Sequence, residues 1–181
     1  MTSKPNLNGA LLLAAPAMRD PNFARSVLFL ASHTAKAGAF GYVLNRPLDK
    51  VVSDLMPTDG LGDLATVPVY LGGPVEADKL AFASLYWSDW EDRLYCETHL
   101  SVNEALHELA IGHDVRGFIG YSGWTSGQLE RELKHRSWII TPPQAQILST
   151  DEPKELWAGI LNEMGGRYEL IARMPTRPEL N

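Results

Sequence analysis

The chain has 181 residues, 45% of them hydrophobic and 21% charged, with 16 Lys and Arg against 22 Asp and Glu and a formal net charge of −6. These proportions are globular and the length can bury a sizeable core, while the negative balance disfavours a broad electrostatic grip on nucleic acid or an anionic membrane. Cys96 is the single cysteine, so no intramolecular disulfide forms, which fits a reducing, cytoplasmic setting.

Along the chain, Ala10–Ala15 is a short apolar run expected to be a buried strand. The run to Ala17 contains Pro16 and lacks a charged leader, so it reads as neither a signal peptide nor a membrane span. Asp20-Pro21-Asn22 then turns the chain. Val27–Ala31 and Phe40–Leu44 predict a hairpin around a loop at Thr34–Gly38. Asp49 is placed to cap a helix over Lys50–Met56, ended by Pro57. The stretch 57–68 reads as a flexible loop, and Val69–Leu71 as a strand stopped by Gly72-Gly73-Pro74. Leu80–Trp87 and Leu94–Cys96 are further strands flanking the acidic turn Ser88–Asp92.

Ser101 and Glu104 form a capping box, and Val102, Ala105, Leu106, Leu109 and Ala110 follow the helical stripe up to Gly112. Arg116–Tyr121 returns as a strand. Thr125 and Gln128 form a second box, predicting a helix to about Arg136, and Trp138–Thr141 a strand before Pro142-Pro143. Asp151 is expected to cap a helix carrying Leu156, Trp157, Ile160, Leu161 and Met164, closed by Gly165-Gly166, with a final strand over Tyr168–Arg173. Strands and helices mix without strict βαβ alternation, so the expected class is α+β with a mixed, barrel-like sheet. One domain over 1–181 is expected, with an ordered core over 6–174 and loose ends at 1–5 and 175–181.

Four segments, in order, carry a resemblance: Pro16-Ala17-Met18-Arg19-Asp20-Pro21-Asn22-Phe23-Ala24-Arg25-Ser26-Val27; Gly38-Ala39-Phe40-Gly41-Tyr42-Val43-Leu44-Asn45-Arg46-Pro47-Leu48; Leu71-Gly72-Gly73-Pro74-Val75; and Gly120-Tyr121-Ser122-Gly123-Trp124 with Gly127-Gln128-Leu129-Glu130 and Trp138. Together they resemble the YqgE/AlgH family of bacterial proteins over roughly residues 8 to 174. The resemblance implies an α+β domain whose bifurcated sheet forms a barrel-like core wrapped by helices. It imports no catalytic residue set; one branch is named for an effect on alginate gene regulation, and relatives are often labelled transcriptional regulators. Many relatives carry Cys-Glu-His where this chain has Ala31-Ser32-His33, which removes any thiol chemistry from that position.

The residues themselves offer several chemistries. Gly120-Tyr121-Ser122 has the setting of a nucleophile elbow, but Trp124 stands where glycine is required, and the only later histidine is His135. Glu104-x-x-His107 and Glu132-x-x-His135 match half of a di-iron motif, and Cys96-x-x-His99 lacks a second ligand pair, so no metal or cofactor is expected. Arg131, Lys134, His135 and Arg136 crowd the end of a helix, where cations complement the dipole. No helix-turn-helix accompanies them.

The strongest candidate is a ligand pocket. Arg46 is an anion clamp beside Asn45 and Pro47; Gly72 and Gly73 can expose backbone N–H groups; Tyr121, Trp124 and Gln128 lie at a turn. If these turns meet, they form a cleft. The leading expectation is a non-enzymatic binding or regulatory protein, taking a protein partner or a small anionic ligand there. The alternatives are an enzyme acting on a small anionic substrate near Arg46 and Trp124, with Tyr121, Ser122 or His33 moving protons, and a regulator that binds DNA directly. The oligomeric state is not legible.

Overall fold

The structure, a computed structural model, describes residues 6–149 and 151–174. The chain begins with β1 (Leu11–Ala14), which lies between β2 (Val27–Thr34) and β9 (Trp138–Thr141), antiparallel to both. Both faces of β1 are buried, which is why Leu11-Leu12-Leu13-Ala14 is continuous rather than alternating. Leu11 and Leu13 join one core cluster, Leu12 and Ala14 a second on the opposite face. The predicted hairpin is present: β2 pairs with β3 (Gly38–Val43), with one extra residue, Ala31, bulged between Leu30 and Ser32.

The sheet forks at β8 (Asp114–Trp124). One edge of its first half pairs parallel with β5 (Pro68–Leu71) through Gly117–Ile119, whereas Ser122–Trp124 pair antiparallel with β3. The change of partner falls at Gly120, whose φ of +67° is open to glycine. A Cβ at Gly120 would stand 2.4 Å from the Gly73 carbonyl oxygen, so the crossing also needs the missing side chain. β8 further pairs antiparallel with β6 (Val75–Ser88), which in turn pairs with β7 (Arg93–Leu100). β4 (Pro47–Val51) adds to β5 at the far edge. The result is a curled, half-barrel mixed sheet of nine strands among the described residues.

Helices cover this sheet. α1 (Val102–Ala110) starts at the predicted capping box: Ser101 accepts from the Glu104 amide, and the Glu104 carboxylate accepts from the Ser101 amide at 2.8 Å. It closes a third core cluster around Val52, Leu61, Leu64, Val69 and Phe82. α2 (Gln128–Lys134) sits over the second cluster through Leu129. α3 (Leu156–Met164) and α4 (Arg167–Ala172) seal the first, where Trp157 Nε1 donates to the Ala14 carbonyl at 2.9 Å.

Several local expectations are corrected. Lys50–Met56 is not a helix: Asp49 takes φ +53°, Pro47–Val51 joins the sheet, and only the 3-10 turn Val52–Asp54 follows, closed by Asp54 accepting from the Val51 amide. Within 57–68, Gly62–Thr66 forms a 3-10 turn that buries Leu64 against α1. The second box is partial. Gln128 Oε1 accepts from the Thr125 amide at 3.1 Å, but the residue capping α2 is Gly127 at φ +74°, and the helix ends at Lys134. Asp151 caps nothing; the 3-10 turn Pro153–Glu155 leads straight into α3. The final strand is α4. Gly165 and Gly166, both left-handed, reverse the chain, and Tyr168, Ile171 and Ala172 recur at helical spacing against the core. The ends at 1–5 and 175–181 lie outside the described residues.

Candidate ligand-binding cleft

The fork shapes an open cleft of about 530 Å³, lined by Phe40, Val75, Glu76, His99, Tyr121 and Gly123 among others. A smaller recess of about 180 Å³ continues it past Tyr42, Lys79, Leu80 and Gly120. Phe40 pairs with Gly123 across the β3–β8 seam, and Tyr121 lies two residues back, so both rings share one sheet face. A Cβ at Gly123 would come within 3.1 Å of the Tyr121 ring. Glycine there lets the phenol lie against the strand. Phe40 stands 5.1 Å from Tyr121 and 5.1 Å from Tyr42, centroid to centroid, and His99 stacks on Phe40 at 5.3 Å and 28°.

Two irregularities aim polar side chains into this cleft. His99 is the extra residue of a bulge between the Ala83–Thr98 and Phe82–Leu100 pairs and takes φ +59°. The β6–β8 ladder breaks between Val75 and Leu80, and Glu76 in that break takes φ +50°. Left-handed non-glycine residues cost of order 1 kcal/mol or more and tend to gather where a site requires them. Two of the six in the described chain meet here. Lys79 Nζ donates to Glu76 Oε1 at 2.8 Å, and that hydrogen bond is the first cause of its raised pKa.

The residues singled out from sequence divide between three places. Tyr121 is in the cleft. Trp124 is three residues on, hence on the opposite face of β8, where it belongs to the second core cluster and reaches the cleft only at the strand end. Its Nε1 donates to Glu132 Oε2 at 2.8 Å; Trp138 Nε1 donates to the same oxygen at 2.8 Å, and Gln128 Nε2 to Oε1 at 3.0 Å. Phe23 packs on both indoles, stacked on Trp124 at 6.4 Å and edge-on to Trp138 at 5.4 Å. One carboxylate thus fixes two tryptophans and Gln128.

Asn45 and Arg46 act on the turn Asp20–Arg25 instead. Asn45 Oδ1 accepts from the Val27 amide and its Nδ2 donates to the Arg25 carbonyl, at 2.8 and 2.9 Å. Arg46 donates to the carbonyls of Pro21 and Ala24, both at 3.1 Å. Desolvation lowers the Arg46 pKa, with Asp20 opposing. Gly72 and Gly73 pack against β8: a Cβ on Gly72 would lie 2.4 Å from the Gly120 carbonyl oxygen, and one on Gly73 2.2 Å from the Tyr121 carbonyl. The Gly72 amide donates to the Ile119 carbonyl at 2.9 Å.

Other reactive groups are held in structural roles. Ser122 is fully buried and donates to the Gly72 carbonyl at 3.1 Å. His33 is buried, its Nδ1 accepting from the Leu7 amide at 3.4 Å with Glu130 3.6 Å from Nε2. Cys96 lies against the first core cluster, and burial pushes its thiol up to about 12. A second open cleft of about 500 Å³ beside α1 is lined by Tyr86, Glu108 and His113. There Glu108 Oε2 accepts from Ser84 at 2.9 Å and contacts His113 Nδ1 at 2.6 Å. The His113 hydrogen bond, first, and Ser84 hold the Glu108 carboxyl below its usual range, against desolvation. Among the described residues, no group of three or more His, Cys, Asp or Glu is placed to hold a metal ion, and no helix is long and apolar enough to cross a membrane. Sequence reading did not assign Phe40, Glu76 or His99 to a pocket: Phe40 stood there only in the Gly38–Leu48 segment and His99 only in Cys96-x-x-His99, and the bulge at His99 and the ladder break at Glu76 are what bring them to one cleft.

Fold and cleft together define the class, a curled α+β half-barrel carrying four α-helices among the described residues, with an aromatic cleft at the fork of its sheet. The chain belongs to the AlgH-like family: the family profile described as DUF179, AlgH-like, matches residues 11–169. It is 36% identical to a UPF0301 protein of Streptomyces avermitilis, covering 100% of this chain and 98% of that one, and 33% identical to a UPF0301 protein of Chlamydia abortus, covering 96% and 94%. Among solved structures, it superposes on the AlgH protein of Pseudomonas aeruginosa with a TM-score of 0.65 and 29% identity, covering 98% of each chain. Protein DIP2367 of Corynebacterium diphtheriae shares the fold at a TM-score of 0.71 and 21% identity, covering 96% of this chain and 95% of that one.

Proposed function

We propose that this chain is a non-enzymatic, cytoplasmic binding protein whose working surface is the cleft at the sheet fork. The observation that supports this most is the convergence of Gly72-Gly73-Pro74-Val75 and Gly120-Tyr121-Ser122-Gly123: their close backbone crossing opens a cavity with aromatic walls. Cavities of several hundred Å³ with apolar walls and few polar groups are the usual form of small-molecule sites. The cleft holds an acid, a lysine and a histidine, but its hydroxyl neighbour Ser122 is turned away and buried. That favours recognition over acyl transfer. An anionic substrate at Arg46 is disfavoured because two backbone carbonyls already occupy the guanidinium. A regulatory role would then follow from a ligand or partner docking at the cleft. A thermal-shift screen with metabolites, followed on Tyr121→Leu and on Arg46→Met, tests this. Ligands should lose their effect on Tyr121→Leu and keep it on Arg46→Met; the reverse pattern overturns the proposal.

A further inference from the structure

Resting on that reading, we infer that the cleft takes an organic cation, an alkylammonium or guanidinium group, held against the aromatic wall of Phe40 and Tyr121 and beside the Glu76 carboxylate. Phe40 and Tyr121 stand 5.1 Å apart on the cleft wall with their planes tilted by 50°, and the negative face of an aromatic ring attracts a cation. The carboxylate stands on the cleft wall, held there by a left-handed backbone. Among the described residues its hydrogen-bond partner is Lys79, which binds one oxygen, Oε1. That contact shows which charge the carboxylate selects. Lys79 is itself 63% exposed at its side chain, so an incoming cation can replace it without loss of buried structure. The only guanidinium among the residues first assigned to a pocket, Arg46, is bound elsewhere. An anion entering this cleft would meet Glu76 and the negative ring faces. The net charge of −6 further favours the approach of cations.

Lys79 makes the inference testable in both directions, because it competes for the same carboxylate. The probes are choline and its uncharged isostere 3,3-dimethylbutan-1-ol, titrated into the whole chain while amide resonances of His99, Gly123 and Val75 are followed by NMR. Glu76→Asn removes the charge but tolerates the left-handed backbone, and Lys79→Met removes the competitor. We expect choline to shift these amides and the isostere to leave them in place. Exposed ion pairs contribute up to roughly 1 kcal/mol, which is about five-fold in affinity. Lys79→Met should therefore strengthen choline binding by up to about five-fold, and Glu76→Asn weaken it by at least a similar factor. Equal binding of the neutral isostere, or an unchanged affinity in both variants, overturns the cation assignment and leaves the cleft as a site for another ligand. If no compound of a broad library shifts these amides, the cleft reading falls as well.

Discussion

Replacing Glu132 by alanine is the sharpest test of how this fold is held. Its carboxylate accepts three hydrogen bonds, from Trp124, Trp138 and Gln128, at 2.8, 2.8 and 3.0 Å. Both indoles are buried, at 6% and 5% exposure. Hydrogen bonds to a charged acceptor contribute about 1.5–3 kcal/mol each, and an orphaned buried donor costs about 1–3 kcal/mol. Glu132 itself is only half-buried, so water can reach part of the vacated site. We therefore take the lower end for each indole and nothing for Gln128, which gives a loss of about 2–4 kcal/mol. For a domain of this length, each kcal/mol shifts Tm by about 2–4 °C, so Tm should fall by roughly 5–15 °C.

Glutamine at 132 should recover only part of this loss. Its single carbonyl can accept from both indoles, but its amide then faces Gln128 Nε2, donor against donor. Flipping Gln128 would turn its own amide towards the Thr125 N–H, whose partner is now Gln128 Oε1. Urea unfolding gives the stability, read by near-UV circular dichroism with the almost fully exposed Trp90 replaced by Phe to simplify the signal. A double-mutant cycle with Trp124→Phe then isolates the pair. Glu132→Ala within 0.5 kcal/mol of wild type (roughly the range of an inert surface change), or strict additivity in the cycle, would refute the argument.

Gly41→Ala should cost more than about 2 kcal/mol or prevent folding, because its Cβ would lie 2.1 Å from the Phe29 carbonyl oxygen across the β2–β3 ladder; soluble expression and urea melts read this. Gly159→Ala should do the opposite: it is exposed inside α3 with open space at its Cβ, so alanine should stabilise by about 0.5–1 kcal/mol in the same melts. Cys96 should resist iodoacetamide at pH 8 in the folded protein and react once urea unfolds it, since burial keeps the thiol protonated up to about pH 12. The carboxyl of Glu108 titrates below its unfolded value, so its contribution is complete above the usual carboxylate range and is lost as pH falls through the lower, folded value. Glu108→Gln should accordingly flatten the acid limb of stability against pH below about 4, and an unchanged limb would count against the Ser84–Glu108–His113 linkage.

Short local signals made much of this fold legible. Leu11–Ala14, the β2–β3 hairpin and the Ser101–Glu104 box each carry a signal that local physics alone decides. The misread segments are those where a distant contact chooses. Tyr-Glu-Leu-Ile-Ala suits a strand by composition, yet the left-handed pair Gly165-Gly166 folds it back on α3, and burial of Tyr168, Ile171 and Ala172 makes it a helix. Asp49 is a good cap in isolation, but the pairing of Pro47 and Lys50 with β5 holds its neighbours extended. At the site, Glu132 looked like half of a metal motif because a carboxylate eight residues after one tryptophan and six before the other gives no hint of its partners. The indoles reach it only because β8, α2 and β9 converge.

The glycines at the fork serve two different ends. A strand that changes partner partway along must bend, and the bend must pass close to another backbone. Gly120 and Gly73 meet that demand within van der Waals distance, so their identities follow from geometry alone. Gly123 does not. Its Cβ would meet no backbone of another strand, only the ring of Tyr121 and, at 3.9 Å, a methyl of Val75. A ring edge could swing outward at small cost, so nothing in the crossing itself requires glycine there. What glycine at 123 does accomplish is to let the Tyr121 ring lie against the strand beside Phe40, tilted 50° to it, with the cleft open above. Gly123→Ala is therefore the substitution that divides architecture from recognition: it should leave the urea midpoint close to wild type while displacing the phenol and weakening whatever binds against the two rings. Loss of stability comparable to that of Gly73→Ala would instead assign Gly123 to the frame, and with it the aromatic wall.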